Sequence, residues 1–213
     1  MGTIEINGQP VLEGAIVMPL RGNWRADLMA GTDQDITGTV AIDDDGVIYN
    51  GTVVRGGVDH TRWNGRVVGG KAKLDQPVLP RAYREATAGL VLADLMLETG
   101  EILAPDSDVA VLTYALPQWF RFGNLEDAIE DLVVEKIKAN WRIKRNGQIW
   151  VGTDTYPTLS VENVIERKED ERSVWTVATE RTELEPGVTF EGRKIVQVTH
   201  RIGSDLRSEV SLG

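Results

Sequence analysis

Two short strands flank an acidic turn in the segment Thr39-Val40-Ala41-Ile42-Asp43-Asp44-Asp45-Gly46-Val47-Ile48-Tyr49. The Asp45-Gly46 pair favours a hairpin, because Asp and Gly tolerate the positive φ angles of a tight turn. We therefore predict strands over residues 37–42 and 47–54. An antiparallel pair here sets the fold class expected for the whole first part of the chain.

The first 80 residues repeat this pattern of short strands between turn residues. Further strands are predicted over residues 11–18 and 65–68. The separating pairs are Asn7-Gly8, Asn50-Gly51, Gly56-Gly57 and Gly69-Gly70. Short strands at close spacing, bounded by Gly, Asn and Asp, are typical of an antiparallel sandwich or a small barrel.

A first helix is predicted over residues 84–99, which are rich in helix formers and end at Gly100. Asp94 and Glu98 lie one turn apart and are expected on the exposed side. The residues expected to face a core are Leu90, Leu92, Leu95 and Met96.

A second helix is predicted over residues 124–138. Asn124 is a suitable N-cap, and Glu126 and Asp127 complement the positive end of the helix dipole. Apolar residues follow at the three- and four-residue spacing of an amphipathic helix. Lys136 and Lys138 lie in the last turn, where cations are favoured.

The sequence after this helix predicts a hairpin over residues 141–151. Trp141 and Ile143 alternate with basic residues, and Asn146-Gly147 is a strong signal for a tight turn with positive φ at both positions. Later strands are predicted over residues 160–165, 172–179 and 193–200. We therefore expect a mainly β, α+β chain with two or three helices.

The chain divides into three predicted parts. Residues 1–80 form an N-terminal β-barrel, residues 81–122 a helix and linker, and residues 123–213 a helix followed by a C-terminal β-barrel. Each half is thus an antiparallel barrel or sandwich with a helix. A length of 213 residues and 41% hydrophobic residues are sufficient for a core in each half.

Composition narrows the classes of function. The 33 acidic and 23 basic residues give a net charge of -10, which disfavours specific nucleic-acid binding. The absence of cysteine excludes disulfides, thiol nucleophiles and cysteine-based metal sites. We expect no signal peptide, because the start lacks a basic leader and an apolar run. The sequence has no run of 18 apolar residues, so no membrane span is predicted.

No catalytic, cofactor-binding or metal-binding residues are assigned from the sequence. His60 and His200 are too far apart for a metal-ligand spacing, and no Gly-x-Ser-x-Gly motif supports a triad. The acidic run from Asp43 begins like a calcium loop but has Val54 at the twelfth position, where a Glu is required. Residues 65–70 are glycine-rich but lack the residues of a phosphate-binding loop. We therefore predict that the chain is not an enzyme.

Six tryptophans are the unusual feature of the composition. Tryptophan fills β-cores and subunit interfaces, but it also stacks on sugars, so a carbohydrate-binding or carbohydrate-cleaving β-domain of a receptor-binding protein is the alternative function. The run Trp119-Phe120-Arg121-Phe122 is the best candidate for an exposed aromatic patch.

Four segments of the first half share a further likeness: residues 22–28, 38–42, 51–57 and 66–70. Together they resemble the N-terminal part of tail proteins from tailed bacteriophages. The helix and hairpin over residues 125–151 resemble a unit of the baseplate hub family, as does the ending around His200 and residues 206–210. The resemblance covers most of the chain in pieces, although hub proteins of contractile tails are considerably longer.

The resemblance implies tail-tube-like β-barrels and a structural role in the virion tail, in a protein made in the host bacterial cytoplasm. It implies that the chain joins the tail tube to the baseplate or tail tip. It implies that the chain assembles with itself as a homotrimer, which would match the sixfold tube to a threefold tip. The other expected partners are a tail tube or distal tail protein and spike or fibre proteins. DNA would pass by transiently, and an acidic wall would not retain it.

Overall fold

The computed structural model describes residues 4–153, 158–159, 164–168, 174–177, 184–190, 192–203 and 207–213. Within these ranges the chain forms sixteen strands and three α-helices, one of which continues as a π-helical segment. The strands of the first half are β1 Ile4–Ile6, β2 Gln9–Pro19, β3 Arg25–Ala30, β4 Thr39–Asp44, β5 Val47–Asp59, β6 Arg62–Gly69, β7 Arg81–Thr87 and β8 Ala115–Arg121.

The later strands are short apart from β15. They are β9 Asn140–Ile143, β10 Ile149–Gly152, β11 Thr158–Leu159, β12 Val164–Lys168, β13 Val174–Val177, β14 Thr189–Phe190, β15 Arg193–Ile202 and β16 Arg207–Leu212. The helices are α1 Ala88–Thr99, α2 Val109–Leu112 and α3 Leu125–Ile129, with the π-helical segment Glu130–Lys136 after α3. The prediction of a mainly β chain with two or three helices is confirmed.

The first six strands close into an antiparallel barrel. Their order is β1-β4-β5-β6-β3-β2, and β1 also pairs with β2, which completes the ring. The hairpin predicted from the acidic turn is confirmed, because Asp44 pairs with Val47 across a turn in which Asp45 and Gly46 have φ angles of 54° and 90°. Closure pairs both edges of the sheet, so this part of the molecule is a barrel rather than an open sandwich.

Strand β2 connects the barrel to a second sheet. Its first residues pair with β1, and the stretch from Gly14 to Pro19 pairs with β15 on the same side. From β15 the sheet continues through β16 and β13 to β12. The C-terminal strands are therefore a hydrogen-bonded continuation of the barrel wall.

The barrel core is built around large aromatic side chains. Trp24, Trp63 and Tyr49 are almost completely buried. The rings of Trp24 and Tyr49 meet edge to face with their centroids 5.6 Å apart, an arrangement that aromatic pairs favour. The indole N–H of Trp24 donates to the carbonyl of Lys144 at 3.1 Å, so the core reaches into the hairpin after the second helix.

The predicted start of the first helix is wrong. Residues 84–87 belong to strand β7, which pairs with β8, and α1 begins only at Ala88. Thr87 is the N-cap, with its hydroxyl accepting a hydrogen bond from the amide of Leu90. Gly100 ends the helix in the left-handed conformation, as predicted. The pairing with a strand distant in the sequence overrides the local helix propensity.

The faces of α1 are also partly different from those predicted. Leu92, Leu95 and Met96 are buried as expected, but Leu90 is 53% exposed. Asp94 and Glu98 lie half-buried along the side of the helix that faces β7 and β8. The second helix agrees better, because Asn124 caps it by accepting from the amide of Asp127 at 2.8 Å.

This second helix widens after its first turn and a half. The segment Glu130–Lys136 is π-helical, and the amide of Ile137 donates to the carbonyl of Leu132, five residues earlier. Its buried side is apolar as the spacing predicted, with Leu132, Val133 and Val134 in the core.

The hairpin of β9 and β10 is confirmed, but its turn is longer than predicted. Lys144 and Gln148 close a loop of three residues, and Gly147, with a φ angle of 80°, has the only positive φ within that loop. This is the three-residue hairpin loop in which a glycine in the left-handed conformation follows a regular turn. The loop packs on the barrel, where the carbonyl of Arg145 accepts from the amide of Asn50 at 2.7 Å.

The later strands β12, β13 and β15 fall within or overlap the segments predicted as strands, while residues 160–163, 172–173 and 178–179 lie outside the described residues. The division at residues 80 and 122 stays a prediction. The 81–122 segment contains a strand pair, β7 and β8, in addition to its predicted helix.

We predict that Gly147→Val lowers the free energy of unfolding by about 3 kcal/mol, through a strained positive φ and a clash. A Cβ atom at Gly147 would lie 2.8 Å from the carbonyl oxygen of Asn50. Chemical denaturation measures the change. Gly57→Val is the matched control, because a Cβ there meets nothing within 4 Å and the backbone is ordinary. Equal stability of the two variants would contradict the docking of this loop.

Candidate interaction surface

The histidines and carboxylates considered as reactive groups do not come together. His60 is exposed in the turn between β5 and β6, with its Nδ1 atom 2.7 Å from Asp59. His200 is buried, and its Nδ1 atom lies 2.8 Å from the hydroxyl of Ser208. Among the described residues no three His, Cys, Asp or Glu side chains are grouped so that they could hold a metal ion. No helix in the same part of the chain is long and apolar enough to cross a membrane.

The two glycine- and aspartate-rich motifs have structural roles. Asp43 accepts a hydrogen bond from the amide of Gly46 at 2.7 Å and so stabilises the tight turn of the β4–β5 hairpin. Most of the glycine-rich stretch 65–70 lies in strand β6 and pairs with β3 and β5. Neither motif forms an open loop of the kind that binds a phosphate or a cation.

The tryptophans mainly fill the core. Trp24, Trp63, Trp119 and Trp141 are each at most 5% exposed. Trp150 is partly exposed, but the guanidinium of Arg142 covers it at 4.3 Å from the ring centroid. The side chain of the sixth tryptophan, at position 175, lies outside the described part of the chain.

The predicted aromatic patch at residues 119–122 is only half exposed. Strand β8 alternates, so Trp119 and Arg121 point inward while Phe120 and Phe122 are 53% and 67% exposed.

A sugar site would need an accessible tryptophan beside a carboxylate. A cavity of about 300 Å³ lies between the barrel and the β9–β10 hairpin, and Trp24 and Glu185 are among the residues that line it. Trp24 is 2% exposed, however, so its face cannot stack on a sugar. Glu185 is 3.2 Å from the guanidinium of Arg145. This cavity does not favour the carbohydrate alternative.

Helix α1 and the β7–β8 ribbon are joined by buried polar contacts. The side chain of Arg121 is fully buried, and it forms an ion pair with Glu98. Its Nε atom donates to the carbonyl of Leu79 at 2.7 Å, and Glu98 accepts from the amide of the same residue. Removing either charge would be strongly destabilising, because it would leave the other charge unpaired in the interior.

A second ion pair lies further along the same side of α1. Asp94 accepts from Arg81 at 2.6 Å and from the hydroxyl of Tyr83 at 3.1 Å. Burial, assisted by the hydrogen bond to Asp94, raises the pKa of Tyr83. The carboxylates of α1 are therefore neutralised within the chain.

The outer side of α1 is apolar and exposed. Leu90, Ala93 and Leu97 follow one another at the three- and four-residue spacing of a single helix face, and Leu97 is 86% exposed. The opposite face of α1 is in the core. A helix that is apolar on both sides is typical of one that is covered on both sides. We call these three residues the apolar stripe.

An acidic ridge runs along α3 and the π-helical segment. Its members are Glu126, Asp127, Glu130, Asp131 and Glu135. Two of them fix core tryptophans, since Glu130 accepts from Trp141 at 2.6 Å and Asp131 from Trp119 at 2.7 Å. Partial burial raises the pKa of Glu126, and the nearby charges of Asp75, Asp127 and Glu130 raise it further. Glu135 at the other end of the ridge is 3.4 Å from the ammonium of Lys138. The negative charge is therefore least compensated at the Glu126 end of the ridge.

The end of the β5–β6 hairpin carries positive charge. Residues 54–66, which we call the arm, hold three arginines against one aspartate. Arg66 forms two hydrogen bonds with Asp27 on β3, at 2.7 and 2.8 Å, and these bonds lower the pKa of Asp27. Most of the residues from Val54 to Arg62 are well exposed.

No protein-family model and no curated protein sequence matches this chain. Solved structures do match it. The 43 kDa tail protein of prophage MuSo2 from Shewanella oneidensis has a TM-score of 0.77 at 10% identity, with 100% of this chain and 97% of that chain covered. A tail protein of Neisseria meningitidis MC58 has a TM-score of 0.71 at 11% identity, with 99% and 96% covered.

A third match extends the fold beyond phages. The c3393 protein of E. coli, a component of the type VI secretion system described as similar to the T4 tail proteins gp27 and gp5, has a TM-score of 0.65 at 13% identity. It is covered over 76% of its length and this chain over 98%. The chain therefore has the fold of phage tail proteins, and the resemblance found in the sequence is confirmed at the level of the fold.

We predict that Glu126→Gln raises the free energy of unfolding at neutral pH by less than about 1 kcal/mol, since the residue is partly exposed. The raised pKa means that the folded chain binds a proton at Glu126 more readily than the unfolded chain does. The charge therefore destabilises the folded state above the folded pKa. The cost declines as the pH falls through that value and is absent below the ordinary value of 4.5.

Denaturation of both proteins across this pH range tests the prediction, with the exposed Glu13→Gln on β2 as the control. A variant that is no more stable than the native chain at pH 7, or one whose advantage persists in acid, would show that the ridge is electrostatically compensated.

Proposed function

We propose that the chain is a structural component of a bacteriophage tail, a hub-like protein at the distal end that joins the tail tube to the baseplate or tail tip. The observation that carries this proposal is a barrel with the fold of phage tail proteins whose helix α1 is apolar on both sides. An apolar outer face fits a protein that functions by contact with other subunits.

The proposal includes a location and a set of partners. The chain is made in the host bacterial cytoplasm and carried in the virion tail. Its partners are other copies of itself and tail proteins on either side, namely a tail tube or distal tail protein and spike or fibre proteins. The role is non-enzymatic, and the scattered positions of His60, His200 and the exposed carboxylates support this.

The proposed assembly is a ring of three copies. Each copy offers two β-units, the closed barrel and the sheet from β15 to β12, so three copies would present six units to a sixfold tube and a true threefold axis to the tip. Such a ring requires heterologous contacts between different faces of neighbouring copies.

We predict three copies of the chain around the axis of an assembled particle, with both β-units stacked on the tube. A cryo-electron microscopy reconstruction of the particle that contains this chain measures the number directly. Six copies would overturn the threefold ring, and absence of the chain from the particle would overturn the structural role in the tail.

We predict that Leu97→Glu prevents incorporation of the chain into tails while leaving its own stability within about 0.5 kcal/mol of the native value, because the side chain is exposed in the single chain. Complementation with the variant followed by composition analysis of purified tails tests this. Val109→Glu is the control, since Val109 is also an exposed apolar residue, at 70%, but lies in α2 outside the stripe. Normal incorporation of the Leu97 variant would remove the stripe from the contact surface.

A further inference from the structure

We propose that the arm of one copy binds the acidic ridge of a second copy of this chain. The inference names the two faces that meet and rests on the self-association included in the proposed function. Strand β4 pairs with β5 only as far as Thr52, whereas β5 continues to Asp59 and pairs there with β6 alone.

The outer edge of the arm is therefore unpaired within the described part of the chain. An edge strand of this kind presents unpaired backbone N–H groups, which can donate to the carboxylates of a partner. The side chains add contact area, because Val54 is 49% and Val58 39% exposed. The base of the arm is held in place, since Trp63 is completely buried in the barrel and Arg66 is paired with Asp27.

The charge of the arm selects the partner. Three arginines against one aspartate give it a net charge of +2, in a chain whose total is -10. Arg55 is 70% exposed, and its one ion pair, with Asp27, is long at 3.9 Å. Arg62 forms no ion pair with a described residue and contacts the sulfur of Met29 at 3.8 Å. Arg62 is thus available for a carboxylate outside its own chain, and the exposed Arg55 can reach one by giving up a single long contact with Asp27.

A second copy supplies those carboxylates. The helical region 124–138 carries five carboxylates against two lysines, a net charge of -3. The raised pKa of Glu126 agrees with the absence of a neutralising cation, among the described residues, at that end of the ridge. Copies of an acidic protein repel one another, so contact through its basic arm is the electrostatically favoured orientation. The two faces are different, and the contact is therefore heterologous, as a ring requires.

The lack of native cysteine makes a chemical test direct. Two variants, Thr61→Cys at the tip of the arm and Asp127→Cys on the ridge, are mixed in equal amounts and treated with a short bis-maleimide. We expect a covalent dimer in the mixture, at least fivefold above the dimer formed by Thr61→Cys mixed with Thr39→Cys. Thr39 is exposed on the barrel, outside both faces. Equal yields in the two mixtures would overturn the proposal.

Charge exchange identifies the contact as electrostatic. Arg55→Glu/Arg62→Glu in the arm of the Thr61→Cys variant is expected to reduce the mixed dimer at least fivefold. Adding Glu126→Lys and Glu135→Lys to the ridge variant, whose Asp127 is already Cys, is expected to restore it, because both side chains are exposed and neither accepts from a core tryptophan. Arg84→Glu, at an exposed arginine on β7, is the matched control and should leave the yield unchanged. A yield that does not respond to the arm substitutions overturns the proposal.

Two further results distinguish the arm–ridge contact from nucleic-acid binding and from failure of the tail role. Binding of duplex DNA that is lost in Arg55→Glu/Arg62→Glu, without a mixed dimer, would show that the arginines serve a nucleic acid and would overturn the proposal. Failure of the mixed dimer with the chain present in purified tails would overturn only the arm–ridge contact. Absence of the chain from tails is instead the result that overturns the proposed function.

Discussion

The structure depends on one strand that hydrogen-bonds along both edges. Strand β2, with eleven residues, pairs with β3 on one side and with β1 and then β15 on the other. The pairing with β1 closes the barrel, and the pairing with β15 attaches the C-terminal sheet to the same wall. A one-residue slip of β2 would turn Ile16 and Met18, which are now buried, toward solvent in both units at once. The register of β2 is therefore fixed both by its pairing in the barrel and by its pairing with β15.

The helical parts are attached to this wall through polar contacts as well as apolar ones. The β9–β10 hairpin receives hydrogen bonds from Trp24 and Asn50 of the barrel, and the ridge carboxylates receive them from Trp119 and Trp141. Buried indole N–H groups favour hydrogen-bond partners, and those of Trp24, Trp119 and Trp141 find them in other segments of the chain. Core residues and the negatively charged surface are thus coupled, because the same carboxylates serve both.

Local signals in the sequence predicted the features that depend on neighbouring residues. The Asp45-Gly46 turn, the Asn124 cap and the Gly100 stop were correct because each is determined within a few positions. The start of α1 and the exposure of Leu90 were wrong, because residues 84–87 pair with β8 and the helix is apolar on both sides. Neither the arm nor the buried pair of Arg121 and Glu98 could be predicted, since both arise from strand pairing across the chain.

The shared strand also has a mechanical consequence. Between Gly14 and Pro19, β2 lies antiparallel to the stretch of β15 from Gln197 to Ile202. A force that slides the barrel along these strands relative to the C-terminal sheet loads all the intervening hydrogen bonds in shear, so they must break together rather than one after another. The joint is strong under traction along the strands and weaker when peeled sideways. In the position proposed for the chain, between a tube and a tip, the strand direction would thus be the direction in which tension can be transmitted without separating the two units.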